Sequence, residues 1–98
     1  MAGNSAVYES LQSKESDFLK KSRRCFNDQD EKNMKNGEVF MIYFLANCSE
    51  EGVLFKTIKE ITADLNMSHA ALTKVLKTLE DRQFIYRRNG ITGLHRER

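Results

Sequence analysis

Two helix starts only eleven residues apart constrain the fold of this chain more than any other feature of its sequence. Thr57 and Glu60 match the capping box, in which a Thr hydroxyl and a Glu carboxylate each satisfy a backbone N–H left unpaired at a helix start. Ser68, a residue type favoured at the N-cap, follows Asn66 and Met67, which interrupt the helical periodicity. The sequence therefore predicts a short helix from Thr57, a tight turn, and a second helix from Ser68.

Both predicted helices have one apolar face, the arrangement of a helix that packs on a core. The apolar positions of the first are Ile58, Ile61 and Leu65. Those of the second are Leu72, Val75, Leu76 and Leu79. The opposite face of the second helix is predicted to carry His69, Ala70, Thr73, Lys74, Lys77 and Thr78.

A β-hairpin is predicted directly after the second helix. The run 84–88 is β-prone, Asn89-Gly90 is a strong signal for a two-residue hairpin turn, and residues 91–94 provide the returning strand. Helix, turn, helix and hairpin in this order predict a winged helix-turn-helix. The fold class is mainly α with a small β-hairpin (α+β), with the helix-turn-helix at 57–82 and the wing at 84–94.

The first half of the chain is predicted to complete one domain that spans residues 1–98. An N-terminal helix is expected within 1–26, because apolar residues recur there at helical spacing, namely Val7, Leu11, Phe18 and Leu19. Residues 27–36 are polar and predict a loop, after which Asn36-Gly37 can start the next helix. Residues 39–48 are apolar on nearly all sides, as in a buried central helix, and residues 53–55 predict a brief strand.

The charge distribution places the functional face in the second half of the chain. Residues 1–52 contain seven Lys or Arg and nine Asp or Glu, whereas residues 53–98 contain nine and five. A basic half is expected of a nucleic-acid-binding protein, although many basic surfaces are only solvated.

Other classes of protein find little support in the sequence. The longest apolar run, 39–46, is too short for a membrane span, and no secretory segment opens the chain. Cys25 and Cys48 lack the spacing of disulfide or metal sites, and no nucleophile with a paired base or Gly-rich phosphate loop is present. We therefore expect a cytoplasmic bacterial protein that is not an enzyme and has no cofactor or metal.

The predicted DNA-binding residues lie at the start of the second helix. In a helix-turn-helix this helix enters the major groove with its N-terminal residues at the base edges. Ser68 and Thr73 can hydrogen-bond bases or phosphates, Ala70 permits close approach to a thymine methyl, and Lys74 and Lys77 can neutralise phosphates. Lysines on an isolated helix would more often be merely solvated, and only the neighbouring hairpin favours DNA contact here.

The tip of the hairpin supplies the remaining candidates. Arg87, Arg88 and Asn89 are predicted to contact the DNA backbone or minor groove, although arginines there can also keep an edge strand soluble. His69 is as compatible with simple solvation as with contact to a base or phosphate.

Residues 57–94 resemble the winged-helix superfamily, with TIKEITADLNMSHAALTKVLKTLEDRQFIYRRNGITGL following the pattern of small MarR-like and ArsR-like regulators. The segment also resembles RepL-type replication proteins of small plasmids, in the spacing from TIKEI through LKTLED to the very short RRNGI wing. Size and the additional N-terminal helix are compatible with TubR-type adaptors, which bind plasmid centromere repeats as dimers. The chain lacks the clustered cysteines of metal-sensing ArsR members and the long C-terminal dimerisation helix of most MarR members.

These observations predict a homodimer that binds double-stranded DNA sequence-specifically and regulates transcription. Because a C-terminal dimerisation helix is absent, the N-terminal half would hold the dimer through Val7, Leu11, Phe18 and Leu19, together with Phe26 and part of the central helix. The same side chains would alternatively complete the monomer core. A plasmid-maintenance protein, either a partition adaptor that meets a plasmid-encoded motor or a replication factor, is the second hypothesis. A winged helix that binds protein instead of DNA is the third.

Overall fold

Four helices and three short strands make up the part of the chain that the computed structural model describes, residues 17–88 and 90–95. Residues 17–24 are helical and are called α1. The remaining elements are α2 (Glu31–Asn47), β1 (Val53–Leu54), α3 (Ile58–Leu65), α4 (His69–Asp81), β2 (Ile85–Arg88) and β3 (Ile91–Leu94). This is the α+β winged-helix architecture predicted from the sequence.

The helix-turn-helix begins and ends where its capping residues predict. The Thr57 hydroxyl accepts the Glu60 amide, and the Glu60 carboxylate accepts the amide of Thr57, so both halves of the capping box are formed. Asn66 ends α3 in the left-handed conformation with φ of 51°, and Ser68 caps α4 by accepting the Ala71 amide at 3.1 Å. The turn between the two helices is therefore set by local chemistry.

The prediction of a loop over residues 27–36 was wrong, because α2 begins at Glu31. Asp30 is its N-cap and accepts the Asn33 amide at 2.7 Å, while Glu31 complements the positive end of the helix. Gly37, expected at a helix start, lies buried inside α2. A Cβ at that position would overlap the ring of Phe26, so the glycine allows α2 to pack closely against this residue.

The central helix is also less buried than its apolar run predicts. Phe40, Met41 and Phe44 are fully buried, whereas Val39 and Ile42 are 45% and 53% exposed. The run is thus divided between a face in the core and a face that no described residue covers.

The hairpin is part of a three-stranded antiparallel sheet in the order β1-β3-β2. The predicted hairpin is observed, with Arg88 opposite Ile91 and Ile85 opposite Leu94, the pairing that a two-residue turn produces. The predicted brief strand joins the other edge of β3, where Leu54 lies opposite Thr92. Phe55, expected to extend that strand, lies outside it and is 68% exposed.

One apolar core joins α2, α3, α4 and the sheet. The predicted inward residues of α4 are all buried, as are Ile61 of α3 and Ile85 of β2. Leu65 and Ile58 are half-buried and pack against the same cluster. The sheet and α3 are thereby held on the side of α4 opposite its exposed face.

The N-terminal predictions are only partly within the described residues. Val7 and Leu11 lie outside them, and Leu19 packs against the core. Phe26 is 2% exposed in the core of the monomer, which agrees with the alternative that it completes the monomer core.

The two cysteines are free thiols, Cys25 buried and Cys48 half-buried. Burial raises the pKa of the Cys25 thiol, with the nearby Arg82 charge opposing that effect. No group of three His, Cys, Asp or Glu side chains within residues 17–88 and 90–95 has the arrangement of a metal site. None of the helices in these ranges is long and apolar enough to cross a membrane.

Candidate nucleic-acid interface

The first two turns of α4 present a small, polar surface to solvent. His69, Ala70 and Thr73 are exposed, and the Thr73 hydroxyl lies 3.4 Å from Nδ1 of His69. Ser68 is exposed as well, and although its oxygen accepts the capping bond, its hydroxyl proton remains available for donation. These predicted residues therefore lie together, with side chains short enough to let a base edge approach the helix.

Lys74 lies at one border of this surface and is paired within the protein. Its Nζ donates to Oδ2 of Asp30 at 2.8 Å, and both side chains are more than half exposed. The hydrogen bond from Lys74 is the first cause of the lowered pKa of Asp30, and the bond from the Asn33 amide is the second. Because an ion pair this exposed stabilises little, the Lys74 ammonium can exchange the carboxylate for a phosphate.

Thr78 does not belong to the outward face on which the sequence placed it. It is 8% exposed, accepts a bond from Nδ2 of Asn33 at 3.2 Å, and donates to the carbonyl oxygen of Lys74 at 2.9 Å. The reason is that α2 begins earlier than predicted, and its first turn covers this side of α4.

A third contact joins the same stripe of α4 to the segment before α2. Arg82 Nη2 lies 2.7 Å from both carboxylate oxygens of Asp28. The pKa of Asp28 is lowered, first by its bond from Gln29 and then by that from Arg82. Residues 74, 78 and 82, at intervals of one helical turn, are thus all held by residues 28–33.

Lys77 occupies the middle of the exposed face. It is exposed and forms no ion pair within the described part of the chain, unlike Lys74 and Arg82. Its ammonium is therefore the α4 cation most readily available to a phosphate.

The wing places its arginines beside the C-terminal end of α4. Arg87 Nη1 lies 3.4 Å from Oε1 of Glu80, and Arg88 is exposed at the end of β2. Gly90 takes φ of +81° in the turn, a conformation that glycine adopts without strain. Asn89, the remaining predicted contact, lies outside the described residues.

Sequence reasoning missed the acidic residues that face α4. Asp30 followed by Glu31 in the first turn is an N-cap signal that would have revealed the start of α2, but it is embedded in a uniformly polar segment. It also missed Lys56, which lies between β1 and α3 and reaches the same side of the wing as Arg87.

Comparison with known proteins finds a family whose model matches part of the chain. Residues 45–90, just under half of the sequence, match the model of the MarR family. No curated protein and no solved structure matches the chain. The matched region runs from the last turn of α2 through the helix-turn-helix to the turn of the wing, which are the elements described above. The match supports a winged-helix DNA-binding domain of the MarR type at residues 45–90 and is typical of a DNA-binding transcriptional regulator.

Proposed function

We propose that this protein binds double-stranded DNA sequence-specifically as a homodimer and thereby regulates transcription. The observation that carries the proposal is the exposed polar start of α4, which Lys77 continues in the following turn, with the wing arginines beside the C-terminal end of the helix. In this arrangement α4 enters the major groove while the wing meets the backbone or minor groove. Ser68, His69, Ala70 and Thr73 are the proposed base-edge contacts, and Lys74, Lys77, Arg87, Arg88 and Asn89 the proposed backbone or minor-groove contacts.

The proposal is tested by binding of the purified protein to duplexes taken from around its own gene, at several salt concentrations. Tight, salt-sensitive binding to one short site supports a regulator, whereas no binding to any duplex would exclude the proposed function. Cooperative coating of repeated sites would instead favour the second hypothesis, a partition adaptor. No feature of the described residues supports that hypothesis.

Lys77→Glu should weaken binding to every duplex by about ten-fold or more, because one phosphate contact is replaced by repulsion. The matched control is Lys35→Glu on α2, where the lysine is exposed and 3.4 Å from Glu31. Equal affinities of these two variants would remove the exposed face of α4 from the interface.

The homodimer is proposed on separate grounds. Proteins matched by the MarR family usually act as dimers, and a two-fold dimer on paired half-sites doubles the contact with DNA. Of the residues predicted to dimerise, Leu19 packs on its own core and Phe18 is half-buried. The exposed face of α2 around Val39 and Ile42 is the better surface for a second copy, since it is apolar and uncovered by any described residue.

Ile42→Lys tests that surface, because a charge in the middle of an apolar contact is costly to bury. We expect the mass in solution to fall from dimer to monomer while the helical circular dichroism is unchanged. A dimer mass retained by the variant would exclude the α2 face and leave residues 7–19 as the predicted interface.

A further inference from the structure

A cleft of about 320 Å³ lies between the wing and the adjoining ends of α3 and α4. Its walls include Lys56 just before α3, Ile58 at the start of α3, Glu80 near the end of α4, and Arg87, Arg88 and Thr92 of the wing. Three cationic side chains thus share one cleft with a single carboxylate. A pocket for an organic ligand is predominantly apolar, so this lining suits a small anion instead.

The cations of the cleft are only loosely neutralised by the protein. Lys56 Nζ lies 4.0 Å from Oε2 of Glu60, and Arg87 lies 3.4 Å from Glu80. Both distances exceed the 2.7 and 2.8 Å of the Arg82–Asp28 and Lys74–Asp30 pairs. Arg88 forms no ion pair among the described residues.

Loose pairing leaves the cleft able to accept another anion. The side chains of Arg87 and Glu80 are 35% and 39% exposed, so their pair is screened by water and stabilises little. A phosphate offers the arginine a charge-assisted and potentially bidentate partner, which is a stronger interaction than a single long contact.

The position of the cleft indicates that a backbone phosphate of bound DNA would meet it. With α4 in the major groove and the wing on the adjoining backbone or minor groove, one DNA strand must pass between these two elements. The cleft lies at that place, bounded by Glu80 of α4 on one side and by β2 and β3 on the other.

We propose that this cleft holds one backbone phosphate of bound DNA, with Lys56 as a contact outside both the recognition helix and the wing. Glu80 is the internal counter-charge of the site, and the phosphate takes its place beside Arg87. The proposal rests on the proposed DNA-binding function. It adds to that function the prediction that substitutions of Lys56 and Glu80, which line the same cleft, change DNA affinity in opposite directions.

The test is the affinity for one duplex, measured by fluorescence anisotropy over a series of NaCl concentrations. Lys56→Gln should weaken binding by about three-fold to ten-fold and reduce the slope of log affinity against log salt by up to about one for each bound protomer. Glu80→Gln should strengthen binding several-fold, because it frees Arg87 and removes a repulsive charge. Partial unfolding could lower the affinity of a variant but could not raise it. The gain expected for Glu80→Gln therefore distinguishes the phosphate site from an effect on folding.

Lys35→Gln is the matched control, since it removes an equally exposed lysine whose partner Glu31 lies on α2. If the unaltered protein binds DNA but Lys56→Gln behaves like Lys35→Gln and Glu80→Gln gains nothing, the phosphate site is excluded while DNA binding stands. If the unaltered protein binds no duplex, the proposed function fails and DNA phosphate is excluded as the occupant.

Discussion

Individual side chains decide how closely α2 approaches the segment before it. Gly37 faces the ring of Phe26, and that ring is 2% exposed in the core. Glycine is normally unfavourable inside a helix, but the close contact with Phe26, eleven positions earlier, requires Gly37 here. Helix propensity alone would favour any other residue except proline at this position.

Gly37→Ala should lower the free energy of unfolding by about 1–3 kcal/mol, because the methyl group overpacks against Phe26 and outweighs the better helix propensity of alanine. The measurement is denaturant unfolding followed by circular dichroism. Lys35→Ala on the exposed face of the same helix is the control and should change stability by about 0.5 kcal/mol or less.

A double-mutant cycle separates this contact from a general effect of alanine. Phe26→Leu makes room at the position, so the cost of Gly37→Ala should be smaller in that background. Equal costs in both backgrounds would show that the ring of Phe26 is not what requires the glycine.

At the scale of elements, α4 is held by residues 28–33 through two carboxylates and one amide. The Asp30–Lys74 and Asn33–Thr78 contacts lie on successive turns of α4, and the Asp28–Arg82 contact follows at its C-cap. This clamp fixes α4 against α2 while leaving Ala70, Thr73 and Lys77 exposed. Its two ion pairs also neutralise charge on the helix that is proposed to approach phosphates.

The clamp should make part of the stability depend on pH. The pKa values of Asp28 and Asp30 are lowered in the folded protein, so each carboxylate stabilises the fold above its unfolded pKa of about 3.9. That contribution is lost as the pH falls below about 4 and through the lowered folded values. Stability of the unaltered protein should therefore decrease over this range.

Asp28→Asn with Asp30→Asn should remove that part of the decrease, because neither amide titrates. Thermal unfolding at a series of pH values between about 2 and 6 measures the difference. Identical pH profiles for the double variant and the unaltered protein would show that the clamp does not contribute to acid sensitivity.

How far each element can be predicted from the sequence depends on the range of the interactions that form it. Caps and apolar periodicity act within one or two turns, so α3, α4 and the hairpin were predicted close to their observed bounds. The clamp joins residues that are separated by 44 to 54 positions in the sequence, and no local sequence pattern predicts such contacts. For the same reason the exposed residues of α4 were identified, whereas Thr78, Lys56 and the counter-charges of the basic residues were not.

The whole molecule combines an acidic first half with a basic second half, and the structure shows where the two meet. Asp28 and Asp30 of the first half neutralise Arg82 and Lys74 of the second, so the net charge of the basic half overstates the charge available to DNA. The cations most readily available to phosphates are Lys77 and those of the cleft beside the wing, to which Lys74 adds only after it exchanges Asp30 for a phosphate.

This distribution predicts the salt dependence of binding. In the proposed complex, Lys74, Lys77 and the wing cleft would provide three phosphate sites in each protomer. A dimer would then neutralise about six phosphates, giving a slope of log affinity against log salt of about −5, and a monomer about half of that. The slope is measured with the duplex that binds most tightly, between about 50 and 300 mM NaCl.

Asp30→Asn identifies the state of Lys74 in the complex. If Lys74 of the unaltered protein exchanges Asp30 for a phosphate on binding, Asp30→Asn should bind DNA more tightly, because the cost of breaking the Lys74–Asp30 pair is removed. The slope should be unchanged, because the number of neutralised phosphates is the same. A slope steeper by about two in a dimer would instead mean that Lys74 stays with Asp30 in the unaltered complex. If the slope of the unaltered protein is about −3 and Asp30→Asn does not change it, the dimer is contradicted and one protomer binds each site.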